Sequence, residues 1–337
     1  MKQFLILPLG GLGKRFVSEG YKTYKPFLKI SKKTRIIDNI LNNFPKKNTN
    51  LIIIANQKKY NEISSNLKNK NAFFIKIRNH NLGPLFSLFL AREKIKKIIR
   101  NNDFFISYSD INWNWEFTSV RKFIKKKNVV VFSHIGFHPH LECDSKADFF
   151  LCNKKKELIK VSKKKPILKD YKKNYLAIGC YYFKSFKFFD DYFDNPSLRK
   201  FEKDKEFYLI DLLRNCLRNN NIVNHFKIKK FVHLGVPNQY RNFLKWKNIF
   251  SSDFKKSMKF NYQTVMLMAG KGKRLKKLKE KKPFLKIRDY QIFDYILKKF
   301  GSKKNCIISN NENLRFMKKR YQTYKIENST SMLNTIE

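Results

Sequence analysis

The 337-residue chain has no C-x-x-C pair, its five cysteines (Cys143, Cys152, Cys180, Cys216 and Cys306) being scattered. That excludes a disulfide framework and reads as small thiols in a reducing compartment. No apolar run approaches membrane-spanning length, and Phe4 to Leu9 is too short for the core of a signal peptide, so a cytoplasmic protein is expected. Acidic residues are few, 26 Asp and Glu against 74 Lys and Arg, a formal charge of +48. Such an excess would ordinarily point to nucleic acid or an anionic membrane. Here the lysines run from end to end, among abundant Asn, Ile, Phe and Tyr, the residue set expected of an A- and T-rich genome. Zinc-ligand spacings, RNP-like aromatic motifs and a recognition helix are all missing. A soluble globular protein follows, with no specific nucleic-acid or membrane partner, whose positive field helps hold anionic nucleotides.

Glycine is also scarce, with 11 in all, yet five of them fall in two similar turns. The first turn reads L-P-L-G-G-L-G-K-R-F from Leu7 to Phe16, after an apolar run and before K-P-F-L-K-I at Lys25 to Ile30. The second reads L-M-A-G-K-G-K-R-L from Leu267 to Leu275, before K-P-F-L-K-I at Lys282 to Ile287. A strand ending in close-spaced glycines lets backbone N–H groups approach phosphate oxygens, and a following helix turns its positive end toward them. Taken alone, Gly11 and Gly13 fit a tight strand-to-helix turn at least as well. Arg15 and Lys25, in register with them, favour a nucleotide phosphate site.

Strands and helices alternate as in a largely parallel sheet covered on both faces. Strands are expected at Phe4 to Pro8, Leu51 to Ala55, Phe104 to Tyr108, Val129 to Phe132 and Ile178 to Phe183, with Phe104 to Tyr108 and Val129 to Phe132 as central parallel strands. Helices are expected at Ile36 to Phe44, Leu85 to Ile99 and Phe207 to Leu217. The fold class is therefore a three-layer α/β/α arrangement with a mostly parallel mixed sheet. Lys245 to Tyr262 reads as a joint, giving a first domain over 1–250, a linker over 251–262 and a partial second copy over 263–337. In that copy Gly270, Gly272 and Arg274 match Gly11, Gly13 and Arg15, and Ile292 to Phe300 matches Ile36 to Phe44. Because it contains no equivalent of Gly83 or Asp110, it is expected to be a non-catalytic appendage.

From Lys2 to Trp246 the chain resembles the sugar-nucleotidyltransferase (NTP transferase) family. The resemblance rests on G-G-L-G-K-R-F with G-Y-K-T-Y-K-P, N-L-G-P-L-F-S at Asn81 to Ser87, F-F-I-S-Y-S-D at Phe104 to Asp110, K-K-K-P-I at Lys163 to Ile167, G-C-Y-Y-F at Gly179 to Phe183, and H-L-G-V-P-N-Q-Y at His233 to Tyr240. It implies a nucleotide-diphospho-sugar transferase-like, Rossmann-like fold and a nucleotidyltransferase. Such an enzyme joins a nucleoside triphosphate to a sugar 1-phosphate or a similar phosphorylated headgroup and releases pyrophosphate, here for surface polysaccharide. Leu9, Gly10, Gly11, Gly13, Gly83 and Ser109 are then expected to bind nucleotide. Arg15, Lys25 and Lys164 are the expected catalytic residues, and Asp110 would hold Mg2+.

In-line attack by one phosphate on another brings two anions together, so positioning and charge neutralisation are the protein's task. An Arg fork suits a departing pyrophosphate, a Lys supplies a compact charge, and a carboxylate at a strand end suits a hard cation. Each has a plainer reading: Lys25 as a surface lysine and Asp110 as a turn cap. Lys164 is preferred over Lys165 by analogy with the family's E-K-x-P, although Lys163 stands where that pattern has Glu. His233 replaces an Asp of the closing motif, and a neutral imidazole is a poor Mg2+ ligand. Either Asp110 and the nucleotide phosphates hold the metal with water, or His233 acts on the substrate, or the enzyme is impaired. His138 and His140 in G-F-H-P-H lack an obvious third ligand for zinc, and a loop packing near the substrate is expected instead. The alternatives to an enzyme are a non-catalytic nucleotide- or sugar-phosphate-binding protein and, on net charge alone, a nucleic-acid-binding protein.

Overall fold

The fold is that of a computed structural model, which describes residues 3–67, 71–136, 138, 147–195, 206–251, 264–268, 282–287, 289–300, 305–309 and 322–325. It divides into two compact units, Met1–Lys245 and Trp246–Glu337.

The first unit begins with strand β1 (Gln3–Leu9), the short helix α1 (Lys14–Val17), helix α2 (Ile36–Asn42), strand β2 (Thr49–Asn56), helix α3 (Tyr60–Asn66), strand β3 (Ala72–Ile77) and the long helix α4 (Gly83–Ile99). There follow β4 (Phe104–Ser107), β5 (Ile111–Asn114), α5 (Phe117–Ile124), β6 (Val129–Ile135), β7 (Phe149–Cys152), β8 (Leu158–Ser162) and β9 (Tyr175–Phe183). The unit closes with α6 (Lys187–Phe193), α7 (Leu209–Arg218), β10 (Val223–Lys227), β11 (Lys230–His233) and α8 (Pro237–Ser251), the last running across the boundary between the units.

The main sheet runs in the order β10-β6-β9-β4-β1-β2-β3, with β7 pairing to β9 and β8 to β7. β1, β2, β3 and β4 are mutually parallel where they pair, and β6 is parallel to β10. β9 runs antiparallel to both β4 and β6. The expectation of central parallel strands therefore needs correction at one side of each: a continuous apolar run reports burial on both faces, not strand direction. The apolar residues do divide by alternation. Phe4, Ile6, Ile52, Ile54, Phe104 and Ile106 pack with Leu85, Leu88, Ala91, Ile95 and Ile99 of α4 on one face. Leu5, Leu7, Leu51, Ile53 and Phe105 pack with Ile37 and Ile40 of α2, Ile63 of α3 and Ile124 of α5 on the other. Three layers result, because the central strands β1, β2, β4, β6 and β9 bury residues on both faces.

The chain leaves β1 toward β2 and β3, then returns to β4 on the opposite side of β1. The ends of β1 and β4 thus form a topological switch point, where open α/β sheets leave a crevice for ligands. Beside it β5 and β11 form an antiparallel ribbon that sets His233 opposite Ile111.

The second unit contains, in chain order, β12 (Thr264–Leu267), a one-turn 3-10 helix at Lys282–Phe284, the hairpin of β13 (Lys286–Ile287) with β14 (Tyr290–Gln291), helix α9 (Ile292–Phe300), β15 (Asn305–Ser309) and β16 (Gln322–Lys325). β12, β15 and β16 form a parallel sheet. Met268, Phe284, Phe293, Leu297 and Ile307 form its core. Gly270, Gly272 and Arg274 lie outside the described residues, as do His140 and most of the expected linker. Among the described residues no helix is long and apolar enough to cross a membrane.

Candidate active site

The glycine turn leaves β1 at Leu9 and closes on Gly13, whose φ of 67° is left-handed and caps α1. Glycine holds that conformation without a Cβ penalty. α1 has only four residues, too few for much of a macrodipole, so positive charge at the turn comes chiefly from the Lys14 and Arg15 side chains. The Tyr24 hydroxyl lies 2.9 Å from the Leu9 carbonyl oxygen and 2.7 Å from that of Gly11, tying the turn to the following loop. Next in sequence, Lys25-Pro26-Phe27 forms a 3-10 turn with Pro26 buried, so the lysine backbone is fixed on both sides.

A cavity of about 360 Å3 opens above these elements, lined among others by Gly11, Gly13, Arg15, Lys25, Gly83, Ser109 and Asp110. A second cavity, of about 600 Å3, is lined by Arg15, Asp110, Asp148, Lys164, His233 and Asn238 among others. The two share Arg15, Tyr108, Asp110, Tyr208 and Gly235. Of the expected nucleotide contacts, Leu9 and Gly10 are buried beneath the turn. The Gly10 carbonyl accepts a 2.9 Å hydrogen bond from Asn56, and a Cβ on Gly10 would sit 2.5 Å from Ser87 Oγ.

Asp110 follows β4 and faces Lys25, with Nζ 3.0 Å from Oδ2 and both side chains about one-fifth exposed (19% and 20%). Burial alone would push its carboxyl upward, but the Lys25 ammonium beside it holds it down at about 2. The Asp110 carbonyl accepts the Leu234 N–H at 2.7 Å, which fastens β11 to the β4 loop. A Cβ on Gly235 would lie 2.6 Å from Asp110 Oδ2 and 2.8 Å from His233 Nε2, so glycine is needed here and the two groups converge on one point. His233 Nδ1 lies 2.6 Å from Gln239 Oε1. Burial pushes the imidazole pKa down against the pull of Asp110 and Gln239, which favours the neutral ring.

Lys164 adopts φ of 60° and donates its backbone N–H to Asp148 Oδ1 at 3.2 Å. A left-handed φ on a residue with a side chain is uncommon and costs energy that its surroundings must offset. Lys163 forms a 2.9 Å ion pair with Asp211, and Lys164 is the lysine of this run that lines the second cavity. His138 is buried and pairs through Nε2 with the Phe231 carbonyl at 2.8 Å, supporting the strand that carries His233. Among the described residues no group of three or more His, Cys, Asp or Glu is placed to hold a metal ion. Magnesium is content with one or two carboxylates, taking its remaining oxygens from phosphate and water. The residues therefore fit that ion through Asp110 alone, with His233 unsuited as a ligand.

Several wall residues receive no individual role from the sequence. Gly179 has φ of 89° inside β9, and a Cβ there would come within 2.8 Å of the Tyr108 ring. An isolated glycine in a strand is a readable sign of such an approach. Tyr24, Tyr208 and Asp148 give no comparable signal.

A switch-point crevice beside a mostly parallel sheet covered by helices on both faces defines an α/β fold of the Rossmann-like kind. The chain belongs to the family described as Nucleotidyl transferase, which matches residues 5–240. No relative was found among curated protein sequences. Similar solved structures include a putative glucose-1-phosphate thymidylyltransferase from Bacillus anthracis in complex with sucrose, 16% identical with a TM-score of 0.58 over 73% of this chain and 95% of that one. A UDP-glucose pyrophosphorylase complexed with UDP-glucose is 17% identical, with a TM-score of 0.56 over 74% of this chain and 98% of that one. An inositol-1-phosphate CTP transferase from T. maritima is 16% identical, with a TM-score of 0.52 over 73% and 95%. At these identities the likeness establishes the shared fold.

Proposed function

We propose that the protein transfers a nucleotidyl group from a nucleoside triphosphate to a sugar 1-phosphate and releases pyrophosphate. The observation that carries this reading is the junction of the two cavities at Arg15 and Asp110. The triphosphate occupies the first cavity, against Gly11 and Gly13, whose backbone amides approach its oxygens. Arg15, exposed and without an ion pair among the described residues, takes the departing pyrophosphate with its planar fork. Lys25 gives one of its three donors to Asp110, leaving two for the reacting phosphates. Lys164, on the second cavity, holds the acceptor phosphate for in-line attack on the α-phosphorus. A bound Mg2+, held by Asp110, would neutralise phosphate charge.

The activated sugar then serves the assembly of a surface polysaccharide. The second unit is, on this account, a copy of the first unit's opening elements: it repeats strand, Lys-Pro-Phe turn, helix and parallel strand in the same order. A second reading, binding without transfer, is favoured by the Lys25–Asp110 pair, which sets an ammonium where a metal would neutralise the carboxylate. Pyrophosphate release with Mg2+, each common triphosphate, a panel of sugar 1-phosphates and phosphocholine separates the two. Triphosphate binding without release from any pair would favour the second.

A further inference from the structure

The second cavity contains an acid for which phosphate transfer has no use. Asp148 lies at the entry to β7 and lines the cavity together with Lys164, Gly179 and Tyr208. Its Oδ1 accepts the Lys164 N–H at 3.2 Å, and Oδ2 has no hydrogen-bond partner among the described residues. A carboxylate repels the phosphate end of any acceptor, so its role must concern the remainder of the molecule. Two kinds of group satisfy a bare carboxylate oxygen: a hydroxyl donor or a cation.

The surroundings decide between them. Lys164 Nζ lies 5.1 Å, and Lys163 Nζ 5.0 Å, from the centre of the Tyr208 ring. The aromatic ring that would attract a cationic headgroup is therefore already approached by two ammonium groups, and a third cation would be repelled. Hydroxyls meet no such penalty and form charge-assisted bonds to carboxylate.

We propose that Asp148 is the specificity-determining residue of the acceptor cavity, its carboxylate accepting hydrogen bonds from ring hydroxyls and selecting a polyhydroxylated sugar phosphate over a cationic phosphorylated headgroup. This rests on the reading of the second cavity as the acceptor side. The groups facing Asp148 are Lys163 and Lys164 from the loop after β8, Asp211 of α7, and Tyr108, Tyr181 and Tyr208. Burial pushes its carboxyl up to about 6, against the Lys164 N–H and with the help of Asp211. Recognition should accordingly weaken as pH falls below 6.

The test is calorimetric binding to the full chain of glucose, galactose, mannose and N-acetylglucosamine 1-phosphates, phosphocholine and inorganic phosphate, for wild type and Asp148→Asn. Triphosphate affinity serves as the control for folding. At least one sugar 1-phosphate should bind tenfold or more tighter than inorganic phosphate and phosphocholine. Asp148→Asn should remove about 10- to 100-fold of that preference, leaving triphosphate affinity unchanged, and should abolish its decline below pH 6. Retention of the preference by Asp148→Asn, tightest binding by phosphocholine, or no sugar 1-phosphate exceeding inorganic phosphate would each overturn the proposal. Wild type provides an independent check: some monodeoxy analogue of the best-bound sugar must lose about tenfold, and equal binding of all of them overturns it. Lost preference in Asp148→Asn with no pyrophosphate release in wild type would sink the transfer reading and leave this one standing. Pyrophosphate release with an intact preference in Asp148→Asn would do the reverse.

Discussion

Alanine at Gly83 and alanine at Gly11 should have opposite consequences, although both glycines line the same cavity. Gly83 has φ of 84°, and a Cβ there would lie 2.5 Å from the carbonyl oxygen of Phe207 and 2.9 Å from its nitrogen. The same Phe207 exchanges hydrogen bonds with Leu82 and Leu85 at 2.8 and 3.1 Å, so its backbone has little freedom to retreat. A left-handed alanine costs about 1–2 kcal/mol, and displacing packed backbone adds about 1–3 kcal/mol. Gly83→Ala should therefore lose about 2–5 kcal/mol. At roughly 2–4 °C per kcal/mol for a unit of this size, that lowers the melting temperature by about 4–20 °C. Gly11 has nothing within 4 Å of the position a Cβ would take and no positive φ. Gly11→Ala should stay within about 0.5 kcal/mol of wild type, yet its methyl stands where phosphate oxygens approach the backbone, so triphosphate affinity should fall about tenfold or more. Thermal denaturation and equilibrium triphosphate binding measure both. Equal destabilisation by the two variants, or unchanged triphosphate affinity in Gly11→Ala, would refute the division between a packing glycine and a phosphate-approach glycine.

Asp148, with its carboxyl raised to about 6 by burial, binds more protons folded than unfolded between about pH 4 and 6, so it lowers stability as pH rises through that window. Asp148→Asn should unfold later than wild type at pH 7, by about 1–3 kcal/mol, and converge with it near pH 4; coincident urea midpoints at pH 7 would contradict this. Asp110 is held down at about 2, so its contribution is present above about pH 4 and fades as pH falls toward 2. Lys25→Met at pH 6 should cost about 1–2 kcal/mol, the partial exposure of the pair screening the rest, and adding Asp110→Asn should recover most of it. Strict additivity of those two changes would rule out the coupling. His138→Phe strands the buried Phe231 carbonyl and should destabilise by about 1–3 kcal/mol, read from denaturant midpoints; a neutral result would remove the supporting role given to His138.

Much of the first unit could be read from the chain because its strands are long apolar runs and its helices keep one buried face. Phe4 to Pro8 and Leu51 to Ala55 lie within β1 and β2, and Leu85 to Ile99 lies within α4. Strand direction could not be read, since the Tyr175–Phe183 strand looks equally apolar whichever way it runs. The glycine turn, Lys25 and Asp110 were legible because glycine spacing, a Lys-Pro pair and an acid at a strand end are local patterns. The pairing of Lys25 with Asp110 spans 85 positions of sequence and depends on β4 lying beside β1. Asp148 was missed for the same reason: its meaning comes from Lys164, 16 residues away, and from the cavity they share. Gly179 and Gly235 stand in recognisable sequence runs, but the particular contacts that require glycine there, the Tyr108 ring and the Asp110–His233 convergence, are made only in the fold.

The junction of the two cavities at Arg15 and Asp110 is the centre of the account, and steady-state pyrophosphate release tests it most directly. Wild type should release pyrophosphate only when a triphosphate and a sugar 1-phosphate are both present. Arg15→Ala and Asp110→Asn should each lower the rate by about 100-fold or more, with Arg15→Ala retaining a wild-type unfolding transition and Asp110→Asn remaining cooperatively folded. Near-wild-type release in both variants, or none from wild type with any substrate pair, would contradict it.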